Sequence, residues 1–96
     1  MKQQLEKDEY LEIKYFCRQY EAKRKRMSRN TAEGRRAKVD VMLMDATAKE
    51  VSDELSEYIL KSVSKGVAWE QLDCPCGRRQ FYDLRRKFYK KISERK

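Results

Sequence analysis

The apolar positions of the first thirty residues fall at helical spacing. Tyr10, Ile13, Cys17 and Tyr20 recur three and four apart, with Phe16 widening the stripe; that period predicts one long helix over residues 3 to about 28. "YEAKRKRMSR" carries it to a basic end, where cations suit the negative pole of the helix dipole. The expected break is "SRNTAEG", with Ser28, Asn30, Thr31 and Gly34. A second helix is predicted from about Ala32 to Asp45, burying Val39, Met42, Leu43 and Ala46. A third buries Val51, Leu55, Ile59 and Val63, with Tyr58 alongside, and Gly66 stops it. Extended at about 3.6 residues per turn, the stripe of Val39 and Leu43 arrives at Glu50 and Glu54, not at Val51 and Leu55. The phase slip places a boundary or kink near residues 45–48, and "TAKE" at Thr47–Glu50 reads as a capping box there. A single bent helix is the alternative.

The last third of the chain holds "GVAWEQLDCPCGRRQFYDLRRKFYKKI". "VAWEQL" has room for about one and a half helical turns, with Val67, Ala68 and Leu72 inward and Trp69 over the junction. Pro75 lacks an amide hydrogen and drives Cys74 out of the helical region, so that short helix ends there. A new helix restarts at Cys76 or Gly77 and runs to about Ser93. Two helices joined by so short a turn describe a helix-turn-helix, whose second helix lies in the DNA major groove. Phe81, Leu84, Phe88 and Ile92 share one apolar face of that helix, and Arg79, Asp83, Arg86 and Lys90 lie opposite, with Tyr82 and Lys87 on the flanks.

Composition narrows the fold class. In 96 residues, 40% are hydrophobic and 42% charged, with three Gly, one Pro and no alternating β-branched run. This is an all-α chain with a thin core. The expected architecture is a long, basic-ended N-terminal helix (1–30) plus a small helical bundle (31–96) ending in a helix-turn-helix at about 67–93. The net charge of +8 is unevenly spread. Residues 1–36 carry 11 Lys and Arg against 6 Asp and Glu, residues 37–76 carry 4 against 8, and residues 77–96 carry 9 against 2. A basic, acidic, basic chain points to a polyanion partner, here double-stranded DNA. Residues early in a recognition helix reach deepest. Arg79, Gln80 and Asp83 are therefore the base-reading candidates, matched to guanine, adenine and cytosine respectively. Arg78, Arg86, Lys87 and Lys90 are phosphate contacts, supplying affinity and salt dependence.

The stretch "YILKSVSKGVAWEQLDCPCGRRQFYDLRRKFYKKI" resembles the sigma-70 region-4-type helix-turn-helix of small phage and mobile-element regulators. These include the ArpU-like and RinA-like late transcription activators of Gram-positive bacteria. The shared parts are an apolar helix (Tyr58–Lys65), Gly66, a Trp-Glu-x-Leu first helix (Trp69–Leu72), a turn (Asp73–Cys76) and a basic second helix (Gly77–Ile92). Family turns more often carry Ser or Thr where this chain has "CPCG". The resemblance covers roughly the last 40 residues. It implies a transcriptional regulator of a phage or integrative mobile element, with DNA contacts at Arg78, Arg79, Gln80, Tyr82, Asp83, Arg86 and Lys87.

Other chemistries find little to stand on. Cys74 and Cys76 form a C-x-C, and the chain has no His, whereas a structural zinc site wants four ligands. No metal and no cofactor is expected. Cys76 lies at a predicted helix N-terminus beside Arg78 and Arg79, a setting that lowers a thiol pKa; the plainer reading packs Cys74 under Trp69 and leaves Cys76 to the helix start. No nucleophile–histidine pair, phosphate loop or H-E-x-x-H is present, so no enzyme is expected. Asp53, Glu54 and Glu57 read as a solvated face. No segment is apolar enough to span a membrane and "MKQQLEKDEY" shows no signal-peptide core; three cysteines, an odd number, make no disulfide scaffold, which predicts a reducing, cytoplasmic setting. The rival reading is a helical interaction module. In it the aromatic stripe of the first helix pairs with its copy in a homodimer or grips RNA polymerase, and the basic helix binds an acidic partner. Lys23, Arg24, Lys25 and Arg26 form a second phosphate patch if the long helix lies across the DNA.

Overall fold

A computed structural model describes residues 6–95, which form helices and no strand. The elements are α1 (Lys7–Arg18), α2 (Tyr20–Arg26), α3 (Ala32–Val51), α4 (Ser56–Lys65) and α5 (Arg78–Arg95), with a 3-10 turn at Trp69–Gln71 before α5. One core joins them. It is built from Ile13, Phe16, Cys17 and Tyr20, then Val41, Met44 and Ala48, then Leu55, Ile59 and Val63, and finally Leu72, Phe81, Phe88, Tyr89 and Ile92. Phe81 and Phe88 are fully buried, each worth about 2–3 kcal/mol of apolar transfer.

The predicted first helix is two helices. At Gln19 the backbone N–H donates to Phe16 O at 3.3 Å, a three-residue step, and the usual step resumes from Lys23 N–H to Gln19 O at 2.9 Å. The bend aims α2 at α3. Tyr20 donates its hydroxyl to Asp45 Oδ1 at 2.5 Å, and Lys23 Nζ sits 3.0 Å from Asp40 Oδ2. Burial, then the Asp45 hydrogen bond, raises the Tyr20 pKa well above its usual range. Lys23 is 8% exposed and lies 3.7 Å from the Phe16 ring centroid, so it is a structural cation. The stripe of Ile13, Phe16, Cys17 and Tyr20 is spent on this core; Leu11 and Tyr15 stay outside. The first residues predicted for the helix, 3–5, lie outside the described residues.

The start of α3 is as expected: Thr31 Oγ1 accepts the Gly34 N–H at 3.0 Å, a side-chain cap on a free amide. Its buried face is not the expected one. Gly34, Ala37, Val41, Met44, Thr47 and Ala48 point inward, whereas Val39 and Met42 are 65% and 59% exposed. Ala46 is exposed and Leu43 half-buried. The positions 37, 41, 44, 48 and 51 keep an unbroken three–four spacing, so no phase slip exists and α3 runs through residues 45–48 to Val51. Thr47, expected to cap a third helix, is buried in mid-helix and accepts from Arg95 Nη1 at 3.2 Å. The real boundary is at 52–55, where Ser52 Oγ accepts the Leu55 N–H at 3.3 Å. Val51 therefore closes α3 rather than opening α4.

Gly66 ends α4 as predicted, with φ +69° and its N–H on Ser62 O at 2.8 Å. The left-handed φ is what favours glycine; an added Cβ would meet only the Arg18 guanidinium, the far end of a flexible side chain that can move aside.

Candidate nucleic-acid interface

Amphipathic segregation positions α5. Phe81, Phe88, Tyr89 and Ile92 are buried and Leu84 is half-buried, so the predicted apolar face is the one the core uses, with Tyr89 added. The predicted short helix before it is a different matter. Between Gly66 and Pro75 only Trp69–Gln71 is helical, and as a single 3-10 turn. α4 is the α-helix that precedes α5 in the chain.

The connection is nonetheless fixed by polar contacts. Trp69 Nε1 donates to Cys76 O at 3.0 Å, and the Trp69 N–H donates to the Tyr82 hydroxyl at 3.2 Å. Leu72 is buried beneath. Asp73 turns the chain with φ +52°, a left-handed conformation that Asp tolerates better than most residues. Arg85 Nη1 donates to Ser62 Oγ at 3.2 Å, and that hydroxyl donates to Val67 O at 2.9 Å. The Arg85 guanidinium also stands 4.6 Å from the Tyr82 ring centroid and 5.9 Å from that of Tyr89. Cation and ring faces attract in such an arrangement.

The sequence-predicted residues divide into two groups. Arg78, Arg79, Gln80, Asp83, Arg86 and Lys87, within the first ten residues of α5, are exposed. Arg79, Gln80 and Lys87 have no hydrogen-bond or ion-pair partner among the described residues. Arg78 pairs with Glu70 at 3.4 Å and Arg86 with Asp83 at 2.9 Å. Each of these side chains is more than half exposed, so both pairs are weak and a phosphate can compete for the arginines. Tyr82 and Lys90 are half-buried. The Tyr82 hydroxyl is already engaged by Trp69, which gives this residue a structural task that sequence reasoning did not assign. Arg85 and Ser62 were missed. The signal for Arg85 was a cation three residues after one tyrosine and four before another, the helical spacing that stacks it between them.

The thiols follow the plainer reading, as packed side chains, and not the activated one. Cys74 Sγ and Cys76 Sγ lie 3.4 Å apart, and both pack with Trp69 against the core. Burial, then the hydrogen bond and charge of Cys74, pushes the Cys76 thiol up to about 11. Arg78 and Arg79 extend into water and so do little to lower it. Among the described residues no group of three or more His, Cys, Asp or Glu is placed to hold a metal ion, and no helix is long and apolar enough to cross a membrane. No family model, curated protein or solved structure matches the chain.

Proposed function

We propose that this protein is a sequence-specific, double-stranded DNA-binding transcriptional regulator that sets the first half of α5 into the major groove. The observation that carries the reading is the division of α5. One face is core, while Arg79, Gln80, Asp83, Arg86 and Lys87 stand in water on a helix whose approach is fixed by Trp69, Tyr82 and Arg85. Arg79, Gln80 and Asp83 read base edges; Arg78, Arg86 and Lys87 hold phosphates. Lys90 joins the phosphate contacts at the rim. Service to a phage or integrative mobile element, a cytoplasmic setting and contact with RNA polymerase rest on the resemblance to sigma-70 region-4-type regulators. Without a short α-helix at 67–72, the brace of α5 is the 3-10 turn together with α4.

Selection of bound sequences from a random duplex pool at about 150 mM salt tests the proposal, with Arg79→Ala plus Arg86→Ala as control. An enriched motif that the double variant loses is the expected result. Two half-sites about one DNA turn apart would indicate a dimer. Weak binding to every sequence, with no enrichment, would overturn specific regulation and favour the rival class, a helical module whose basic helix holds an acidic partner.

A further inference from the structure

Folding gathers a second set of cations far along the chain from α5. Arg24, Lys25 and Arg26 end α2, Arg29 lies in the turn, and Arg35, Arg36 and Lys38 follow in α3. All seven are exposed, and none forms an ion pair with a described carboxylate. Glu33 is the single acidic residue between positions 24 and 38. The patch differs from the one legible in the sequence. Lys23 is withdrawn to Asp40 and the Phe16 ring, while the turn adds the α3 cations.

The corner is close-packed at the backbone. Gly34 is buried against it, and a Cβ there would clash with the Arg29 carbonyl oxygen and lie 2.9 Å from Arg26 O. The cations are therefore borne on a set scaffold rather than a loose tail. Stability does not account for them. Arg24, Lys25 and Arg26 suit the end of α2, but Arg35 and Arg36 follow directly on the first turn of α3, near the positive pole of its dipole. Each also repels the others.

We infer that the α2–α3 corner is a second contact surface for the phosphate backbone of duplex DNA, binding without regard to sequence. The inference rests on the DNA-binding reading of α5 and extends it to a second face. Chemistry favours phosphate over an acidic protein. Apart from Glu33 every charged side chain of the corner is a donor, and its exposed large apolar side chains are Met27 and, beyond Lys38, Val39 and Met42, scattered rather than gathered into the apolar centre of a protein interface. Five of the seven cations are arginines, whose planar fork matches phosphate oxygens.

The test is binding of the full chain to a random-sequence 30-base-pair duplex across a salt series. The corner variant combines Arg26→Gln, Arg29→Gln, Arg35→Gln and Arg36→Gln, all at exposed positions, with its fold checked by circular dichroism. Losing these contacts is expected to shallow the slope of log affinity against log salt by about 2–4, at roughly 0.9 per phosphate contact. The sequence preference carried by α5 stays unchanged. The matching set of Arg→Lys substitutions is expected to keep most of the slope. A corner variant with the wild-type slope would overturn the inference and leave the α5 reading standing. Loss of slope in the corner variant, with binding by Arg79→Ala plus Arg86→Ala unaltered, would support the corner and sink the α5 reading. Binding to polyglutamate as tight as to duplex at equal salt would overturn the corner's assignment to DNA in favour of an acidic protein. No duplex binding at low salt would overturn both.

Discussion

The hydroxyl of Tyr82 accepts the backbone N–H of Trp69 at 3.2 Å, so a side chain of α5 satisfies the first residue of the 3-10 turn. That contact holds α5 at a set angle to the segment before it. Tyr82→Phe keeps the ring under Arg85 and removes only the acceptor. It is expected to cost about 1 kcal/mol, read as an earlier urea midpoint at unchanged m-value, with duplex affinity within about twofold of wild type. A tenfold affinity loss at unchanged stability would move the hydroxyl from the protein's interior to the DNA.

Gly34→Ala inverts a usual rule. In a helix the change ordinarily gains about 1 kcal/mol. Here the new methyl meets two backbone carbonyls that cannot rotate away, those of Arg29 and Arg26. The expected outcome is a loss of about 1–3 kcal/mol, as in other overpacked sites. For a chain of this size that lowers the melting temperature by at least about 5 °C. A higher melting temperature would mean that the corner yields freely.

Acid should weaken the union of α3 and α5. Glu50 accepts from Arg95 Nη2 at 2.6 Å and Lys91 Nζ at 3.1 Å, and these hydrogen bonds, that from Arg95 first, hold its pKa below the usual 4.5. A carboxyl depressed in the folded state stabilises above its unfolded pKa, and the benefit fades as pH falls through the folded value. Glu50→Gln is expected to be slightly less stable than wild type at pH 7. The gap should begin to shrink as pH falls below the ordinary 4.5 and close once pH has passed through the depressed folded value, and denaturation midpoints across pH read it directly. A gap independent of pH would assign the effect to packing.

Cys76 should be a sluggish thiol. With its pKa pushed up to about 11, little thiolate exists near neutrality, and thiolate is the reactive form. Iodoacetamide labelling is expected to be slow at pH 7.5 and to climb steeply between about pH 9 and 11. Cys74→Ala should shift that profile downward by only part of the displacement, because burial is the larger cause. Rapid labelling at neutral pH would show an activated thiol in place of the packed one.

How much was legible differs from helix to helix. In α5 the segregation made most of the buried face (Phe81, Phe88 and Ile92) and the exposed Arg79, Asp83 and Arg86 readable in advance, while buried Tyr89, half-buried Lys90 and the brace at Arg85 were not. α3 is apolar on several sides at once, through Val39, Val41, Met42, Leu43 and Met44. Which stripe is buried depends on the bend at Gln19 and on the length of α2, neither of which is written into α3. Thr47 seemed a cap because its local pattern allowed one; the hydroxyl is instead claimed by Arg95, 48 residues away. Lys23 looked like one more surface cation until Asp40 and the Phe16 ring enclosed it. The 3-10 turn at Trp69 is held by long-range contacts that no local pattern displays: the Tyr82 hydroxyl accepts the Trp69 N–H and Cys76 O accepts its indole N–H. Local pattern sets periodicity and ends; long-range partners decide which of several acceptable faces turns inward.

α5 is fastened near both ends, by Tyr82 and Arg85 toward its start and by Lys91 and Arg95 on Glu50 toward its finish. It is held as a beam clamped at two supports rather than as a free rod. A clamped beam neither rolls nor slides to suit a ligand, so the ordering entropy of association falls mainly on the tips of Arg79, Gln80 and Lys87. Any adjustment of fit is left to the partner. On the proposed docking into duplex DNA, the ease with which a site bends would then count alongside its base edges in what this helix distinguishes.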